Sequence, residues 1–231
     1  MTEHTVRSYD EELNALSAEC ARMGGLTEAQ VADAITAVVK RNQELAGAVV
    51  ARDDRLDVAE RDIERRALRM IALRQPMADD LRRTVAAMKI ANNLERCGDL
   101  AKNIAKRTLV IIESDPMTPL TRSIERMGKL VLQRLTAVLD AYARQDLERA
   151  IAVWSQDEDV DEHYNSLFRE LLTYMMGDPR TITACAHMLF VAKNLERIGD
   201  HATNIAELVH YQITGDDMIA PERPKHDALR G

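Results

Sequence analysis

The chain has 231 residues, of which 46% are hydrophobic, 30% charged and only 3% aromatic. This composition is typical of a folded globular protein, and the shortage of aromatic residues, Gly and Pro argues against a β-sandwich. The formal net charge of −7 argues against a nucleic-acid-binding protein, because such proteins normally carry a basic face.

The first half of the chain is predicted to form three long helices that carry apolar residues at three- and four-residue spacing. Their approximate ranges are 6–41, 43–74 and 78–113. Gly24 and Gly25 mark a place where the first helix can kink. Asn42 has the side-chain chemistry of an N-cap for the second helix, and Pro76 separates the second helix from the third.

The second half predicts three more helices with the same organisation. Their approximate ranges are 118–144, 147–176 and 180–214. Asp146 has N-cap chemistry, and Gly177 and Pro179 separate the last two helices. The residues after 215 show no periodicity, so we expect a first unit at 1–114, a second at 115–215 and a disordered tail at 216–231.

The two halves repeat one sequence. Ile90–Ala105 reads IANNLERCGDLAKNIA and Val191–Ala206 reads VAKNLERIGDHATNIA, and most positions are identical at an offset of 101 residues. Upstream the offset is 104, as in Arg22–Leu26 and Arg126–Leu130, and the change falls in a predicted loop. The sequence therefore predicts an all-α tandem repeat of two three-helix bundles with six long helices.

The cysteines and the amino terminus indicate a cytoplasmic location. Cys20, Cys97 and Cys185 lie in apolar helical patterns without CxxC spacing, which predicts buried free thiols in a reducing compartment. The amino-terminal residues contain no apolar signal segment, and no run approaches the ~18 apolar residues of a membrane span. We expect a cytoplasmic protein that reaches membranes only through its partners.

Carboxylates recur at four-residue spacing in both halves, so each pair forms a line on one helix face. The third helices carry Glu95 and Asp99 in the first unit and Glu196 and Asp200 in the second, extended by Asn103 and Asn204. The second helices carry Asp53 and Asp57, and Asp157 and Asp161. Repetition of these lines in an otherwise diverged duplication favours a function for them.

A multivalent cation would remove the repulsion within these lines. Like charges four residues apart cost a few tenths of a kcal/mol, and oxygen ligands suit Mg, Ca, Mn or oxidised iron. Carboxylates from facing helices can also bridge two or more ions. The alternative is that the lines are solvated and that Arg96 and Arg197 pair with them without functional consequence.

Several other residues bear on the chemistry. Gly98 and Gly199 lie inside predicted helices, which indicates either close approach of a neighbouring helix or of a metal-bound ligand, or simple tight packing. His201 faces away from the acidic line, because successive helical residues are about 100° apart. Nucleotide-binding, metalloprotease and hydrolase motifs and the ExxH pairs of ferritin-like oxidases are absent from the sequence, so we do not expect an enzyme.

The paired motif NLERxGDxAxNIA, at Asn93–Ala105 and Asn194–Ala206, resembles the hallmark of the PhoU family. The resemblance implies two three-helix bundles with multinuclear metal sites containing iron, zinc, manganese or magnesium. It implies ligands at Glu95, Asp99, Asp53 and Asp57, and at Glu196, Asp200, Asp157 and Asp161, with Asn103 and Asn204 as further contributors.

The same resemblance implies a non-enzymatic, homodimeric regulator. Such a protein acts with the ATPase subunit of a phosphate ABC transporter and with a PhoR-type sensor histidine kinase, and restrains both when phosphate is ample. Two alternatives are a carboxylate-bridged metal oxidase or hydrolase and a metal-free helical scaffold with solvated acidic lines.

Overall fold

The computed structural model describes residues 2–113, 118–156 and 158–218. Within these ranges the chain forms helices and no strand. The helices are α1 (Thr2–Lys40), α2 (Gln43–Arg52), α3 (Asp54–Arg74), α4 (Ala78–Ile111), α5 (Thr118–Arg144), α6 (Leu147–Ser155), α7 (Glu158–Gly177) and α8 (Ile182–Thr214), with a 3₁₀ turn at Pro179–Thr181. The predicted boundary at 114/115 and residues 219–231 of the tail predicted at 216–231 lie outside the described residues.

The six predicted helices are present, but the second helix of each unit is divided in two. In the first unit α2 ends at Arg52 and α3 begins at Asp54, and the backbone N–H of Leu56 bonds to the carbonyl of Asp53 in a tight turn. The break accompanies the inward turn of the Asp53 side chain, which is buried. By contrast, α1 runs through Gly24 and Gly25 as one continuous helix.

The predicted caps at the start of α2 and α6 are confirmed. Asn42 Oδ1 accepts a hydrogen bond from the backbone N–H of Leu45 at 3.0 Å, and Asp146 Oδ1 accepts one from Arg149 at 3.0 Å. Each cap satisfies one of the unpaired N–H groups at a helix start. The two units therefore begin their second helices in the same way.

The helices of the two units share one hydrophobic core. The long helices α4 and α8 pack against each other, α1 packs on α4 and α5, and α5 packs on α8. The shorter pairs α2–α3 and α6–α7 cover the outer sides of α4 and α8 respectively. A single cluster of buried Leu, Ile, Val, Ala and Met side chains extends through both units. The bundles are thus joined by their longest helices.

Gly98 and Gly199 sit where a neighbouring helix approaches α4 and α8. A Cβ atom at position 98 would lie 2.3 Å from Leu56 Cδ1, whereas one at position 199 would lie 3.4 Å from Val160 Cγ1. Close approach of a neighbouring helix therefore accounts for Gly98, whereas position 199 has room for a methyl group, so the first unit is packed more tightly at this point.

The thiols are placed as the sequence predicts. Cys20, Cys97 and Cys185 are free and buried. None of the described helices combines the length and the apolarity needed to cross a membrane.

Candidate metal centres

The predicted acidic lines lie on the outward sides of α4 and α8. Glu95 and Asp99 on α4 and Glu196 and Asp200 on α8 are all partly or fully exposed, whereas Leu94 beside them is buried. The helical period produces this arrangement, because residues four apart share a face and their immediate neighbours turn towards the core. The carboxylates are therefore available to a ligand from solvent.

In the second unit, three carboxylates from two helices lie close enough together to bind one ion. Asp161 on α7 and Glu196 and Asp200 on α8 each offer an oxygen, and these oxygens all lie within 4.8 Å of one another. Glu196 Oε1 also accepts a hydrogen bond from Lys193 Nζ at 2.6 Å. Across the described ranges, this is the only group of three His, Cys, Asp or Glu residues with such spacing.

In the first unit, several carboxylates surround Glu95. Burial raises the pKa of the Glu95 carboxyl above its ordinary value, and the nearby Asp99 carboxylate raises it further. Asp57 and Glu60 on α3 act in the same direction, and Arg96 opposes them. A charged Glu95 is therefore costly unless a cation lies nearby.

Two protein cations already lie beside the acidic line of the first unit. Arg96 approaches Glu95 Oε2 to 3.5 Å and Asp99 Oδ2 to 3.7 Å. Lys102 Nζ lies 3.8 Å from Asp99 Oδ1. The second unit has Thr203 at the position equivalent to Lys102. Part of the negative charge of the first line is thus balanced internally.

Asp53 differs from the other predicted ligands because it is almost completely buried. Its side chain is 2% exposed, Oδ1 accepts a hydrogen bond from Gln30 Nε2 at 3.0 Å, and Oδ2 pairs with Lys102 Nζ. In this structure Asp53 therefore belongs to an internal ion pair and does not join a group of three ligands. Its counterpart Asp157 lies outside the described residues.

The two predicted asparagine ligands continue the lines by about one helical turn. Asn103 and Asn204 are exposed. Asn204 lines a cleft of about 770 Å³ between α3, α4 and α8, together with Asn93 and Glu207. The structure therefore assigns Asn204 to the boundary between the units.

Both glutamates of the lines have a carboxylate oxygen that is buried and receives no hydrogen bond. These atoms are Glu95 Oε2 and Glu196 Oε2, at equivalent positions of the two units. Buried acceptors are normally paired, because an unpaired one costs about 1–3 kcal/mol. A cation ligated by these oxygens would satisfy Glu196 Oε2 and would add to the long ion pair that Arg96 makes with Glu95 Oε2, so the donor set fits a metal ion with a preference for oxygen.

The sequence patterns did not identify the partners that lie behind the lines. Gln30 and Lys102 hold Asp53 in the first unit. In the second unit, Arg134 is 3% exposed and donates hydrogen bonds to the Val153 carbonyl at 3.2 Å and to Thr203 Oγ1 at 3.0 Å. The repeat offsets align Gln30 with Arg134 and Lys102 with Thr203. This exchange of a charged for a neutral side chain is the feature of the sequence that could have identified these partners.

His201 lies between the units, away from the acidic group. Its Nδ1 lies 2.9 Å from Asn93 Oδ1, which joins α8 to α4. Burial lowers the pKa of His201, and Arg197 and Arg96 lower it further. The expectation that His201 faces away from the carboxylates agrees with this contact.

Known proteins that are similar to this chain in sequence and in structure carry the PhoU name. The family model of the PhoU domain matches residues 20–108 and 124–209. A curated protein of Caulobacter vibrioides, named as a phosphate-specific transport system accessory protein PhoU homolog, is 67% identical over 229 residues, covering 99% of each chain. A protein of the same name from Rhizobium meliloti is 50% identical over 224 residues, covering 97% of this chain and 94% of the relative.

Solved structures show the same fold. The crystal structure of PhoU from Pseudomonas aeruginosa superimposes with a TM-score of 0.87 at 38% identity, covering 90% of this chain and all of that one. The phosphate transport system regulatory protein PhoU from Streptococcus pneumoniae gives a TM-score of 0.85 at 28% identity, with 92% and 100% coverage. The two domain matches, the close relatives and the shared fold show that this chain belongs to the PhoU family.

Proposed function

We propose that this chain is an accessory protein of a phosphate-specific transport system that regulates phosphate uptake without being an enzyme. The observation that carries this role is its 67% identity, over the full length, to a protein named for that system. In the proposal it is a homodimeric adaptor between the transporter's ATPase subunit and a PhoR-type sensor histidine kinase. It restrains transport and phosphate-starvation signalling when phosphate is ample.

The second part of the proposal is that the acidic lines bind metal ions. Asp161, Glu196 and Asp200 support it, because their oxygens lie within 4.8 Å of one another on two different helices. Three close carboxylates repel one another, and a divalent or trivalent ion removes that repulsion. Iron, zinc, manganese and magnesium all accept carboxylate oxygens, and neighbouring carboxylates allow more than one ion.

Bound metal would act on the protein by joining helices. Asp161 lies on α7 whereas Glu196 and Asp200 lie on α8, so a shared ion would fix α7 against α8. The second unit is expected to be the stronger site, because three carboxylate oxygens converge there, whereas in the first unit Asp53 is bound to Lys102. Metal binding would in this way stabilise the outer surface of the second unit.

Metal analysis of purified protein with two matched variants tests this part. We expect Glu196→Gln with Asp200→Asn to remove most of the bound metal, and the equivalent pair Glu95→Gln with Asp99→Asn to remove less. The content is measured by elemental mass spectrometry after purification without chelators. Equal metal content in the wild type and both variants would contradict metal binding by these lines and would favour a metal-free scaffold.

A second experiment tests the regulatory role separately. We expect deletion of the gene to release a phosphate-starvation reporter in phosphate-rich medium, and a plasmid copy to restore repression. Co-purification of the tagged protein from cells grown with and without phosphate would identify the transporter and kinase partners. Unchanged reporter activity in the deletion strain would rule out negative regulation, whatever the metal content. Metal-dependent turnover by the purified protein would instead support a carboxylate-bridged enzyme.

A further inference from the structure

The surface beside the acidic line differs sharply between the two units. On the second unit, α7 contributes Tyr164 and Phe168, and α8 contributes Phe190. The repeat offsets align these rings with Glu60, Glu64 and Lys89 of the first unit. We call the surface formed by the three rings, with Leu172 and Met176, the aromatic face. Aromatic rings thus replace charged side chains on one of two otherwise equivalent surfaces.

The aromatic face exposes a large apolar area. Phe168 is 37% exposed, Leu172 42% and Met176 87%, and they follow one another at four-residue spacing along α7. Phe190 on α8 is 52% exposed. Single exposed apolar residues are ordinary, but a contiguous row rimmed by charge indicates an interaction site.

Basic side chains border the aromatic face. The Arg107 guanidinium lies over the Phe190 ring at 4.6 Å from its centroid, and Lys193 Nζ lies 5.2 Å from the centroid of Tyr164. Lys106 is exposed one residue before Arg107. The equivalents of Lys106 and Arg107 in the second unit are Glu207 and Leu208, so these two basic residues have no basic counterparts in the repeat.

We propose that the aromatic face is a docking surface for an acidic amphipathic helix of a partner protein. This inference rests on the proposed function, since an adaptor requires a surface for a partner. The apolar side of such a helix covers the row from Phe168 to Met176 and the ring of Phe190. Its acidic side pairs with Lys106 and Arg107, in a chain whose net charge is −7.

The acidic group beside the aromatic face favours a narrow binding partner, such as a single helix. Asp161, Glu196 and Asp200 lie on the same two helices as the rings. A helix about 10–12 Å wide can follow the basic border and avoid these carboxylates. An anionic membrane or the face of a second copy covers a broader area, and would bring further negative charge onto them.

Photo-crosslinking in growing cells tests the inference. A photoreactive benzoylphenylalanine is placed at position 190 and, as a matched control, at the equivalent position 89 of the first unit. We expect position 190 to give an adduct with a different protein, whose crosslinked peptide is an amphipathic helix rich in Asp and Glu, and position 89 not to give it. An adduct with a second copy of this chain, an adduct with lipid, or no adduct at position 190 would overturn the inference.

Binding of the captured peptide then tests the side chains. Phe168→Glu with Phe190→Lys gives the aromatic face the charges of the first unit, and we expect at least about tenfold weaker binding. Lys106→Glu should weaken binding about threefold, with a reduced salt dependence. The control Glu64→Gln with Lys89→Gln should bind as the wild type does, and equal binding by all variants would overturn the inference.

The identity of the captured protein separates this inference from the proposed function. A transporter subunit or a sensor kinase supports both. A protein unrelated to phosphate, captured through an acidic helix, supports the docking surface and counts against the proposed partners.

Discussion

The two units place a cation at the same point of the fold, a half-buried lysine in one and a buried arginine in the other, and take it from different helices. In the first unit Lys102 of α4 pairs with Asp53, at the break between α2 and α3. In the second unit Arg134 of α5 reaches the carbonyl of Val153 near the end of α6. The first unit has the neutral Gln30 where the second has Arg134, and the charged Lys102 where the second has the neutral Thr203. The charged and the neutral hydrogen-bonding side chain have therefore exchanged positions between the units.

This exchange indicates that the fold requires a cation at this point, whichever helix supplies it. A buried carboxylate at the break is stable only with a partner, and a positive group there also suits the carboxyl end of the preceding short helix. Neither helix is required to supply the cation, provided that one of them does. The duplicated halves have therefore diverged in sequence while each keeps a cation near the division of its second helix.

Removing the cation of the first unit is expected to give the largest effect. Lys102→Thr leaves the Asp53 carboxylate, which is 2% exposed, with only Gln30 as a partner. Leaving a buried carboxylate without its cation costs about 3 kcal/mol, which corresponds to a Tm lower by about 6–12 °C for a chain of this size. Thermal unfolding followed by circular dichroism measures the change.

A reciprocal substitution sharpens the comparison. Gln30→Arg added to Lys102→Thr transfers the arrangement of the second unit to the first, and we expect it to recover more than half of the lost stability. Gln30 Nε2 already lies 3.0 Å from Asp53 Oδ1, so a longer guanidinium can reach the carboxylate. If the double variant is no more stable than Lys102→Thr alone, the two cations are not interchangeable.

The equivalent glycines should respond with opposite signs. Gly98→Ala places a Cβ 2.3 Å from Leu56 Cδ1 in a buried site, so overpacking outweighs the gain in helix propensity, with a net loss of about 1 kcal/mol. Gly199→Ala places its Cβ 3.4 Å from Val160, an ordinary contact, and should gain up to about 1 kcal/mol. Chemical denaturation of both variants checks the signs, and destabilisation of equal size would contradict the packing difference.

Much of the fold could be predicted because it depends on local signals. The caps at Asn42 and Asp146, the loop at Pro76 and the repeated third helices all reflect short-range sequence chemistry. The division of the second helices could not be predicted in this way. It depends on where Asp53 meets Gln30 and Lys102, which lie 23 and 49 residues away in the chain.

The candidate metal site could likewise be predicted only as far as local sequence spacing determines it. Four-residue spacing places Glu196 and Asp200 on one face of a helix, and that placement is confirmed. Spacing alone cannot distinguish Asp161, which joins them, from Asp53, which turns inward to a lysine. The distinction depends on the tertiary placement of cations, and duplicated sequence with the same acidic pattern can therefore produce two unequal sites.

The free-energy cost of ionising Glu95 in the folded first unit should be visible in the pH dependence of stability. Burial and the nearby Asp99 raise the pKa of Glu95 above its ordinary value of 4.5, so the folded protein binds a proton that the unfolded chain releases more readily. The contribution of Glu95 to stability should therefore fall as pH rises from about 4.5 through the raised pKa, and stay lower above it.

Glu95→Gln removes this cost. Measured in protein treated with a chelator to remove metal, the variant tests whether the pH dependence comes from Glu95. Above the raised pKa of Glu95 we expect a Tm higher by about 1 °C, since like-charge repulsion of this kind is worth a few tenths of a kcal/mol. Below pH 4.5, where Glu95 is protonated in both states, the two proteins should unfold at the same temperature. In metal-loaded protein the sign should reverse, because the variant loses a charged ligand. A variant that is less stable at neutral pH without metal would show that Arg96 already outweighs the cost of the Glu95 charge.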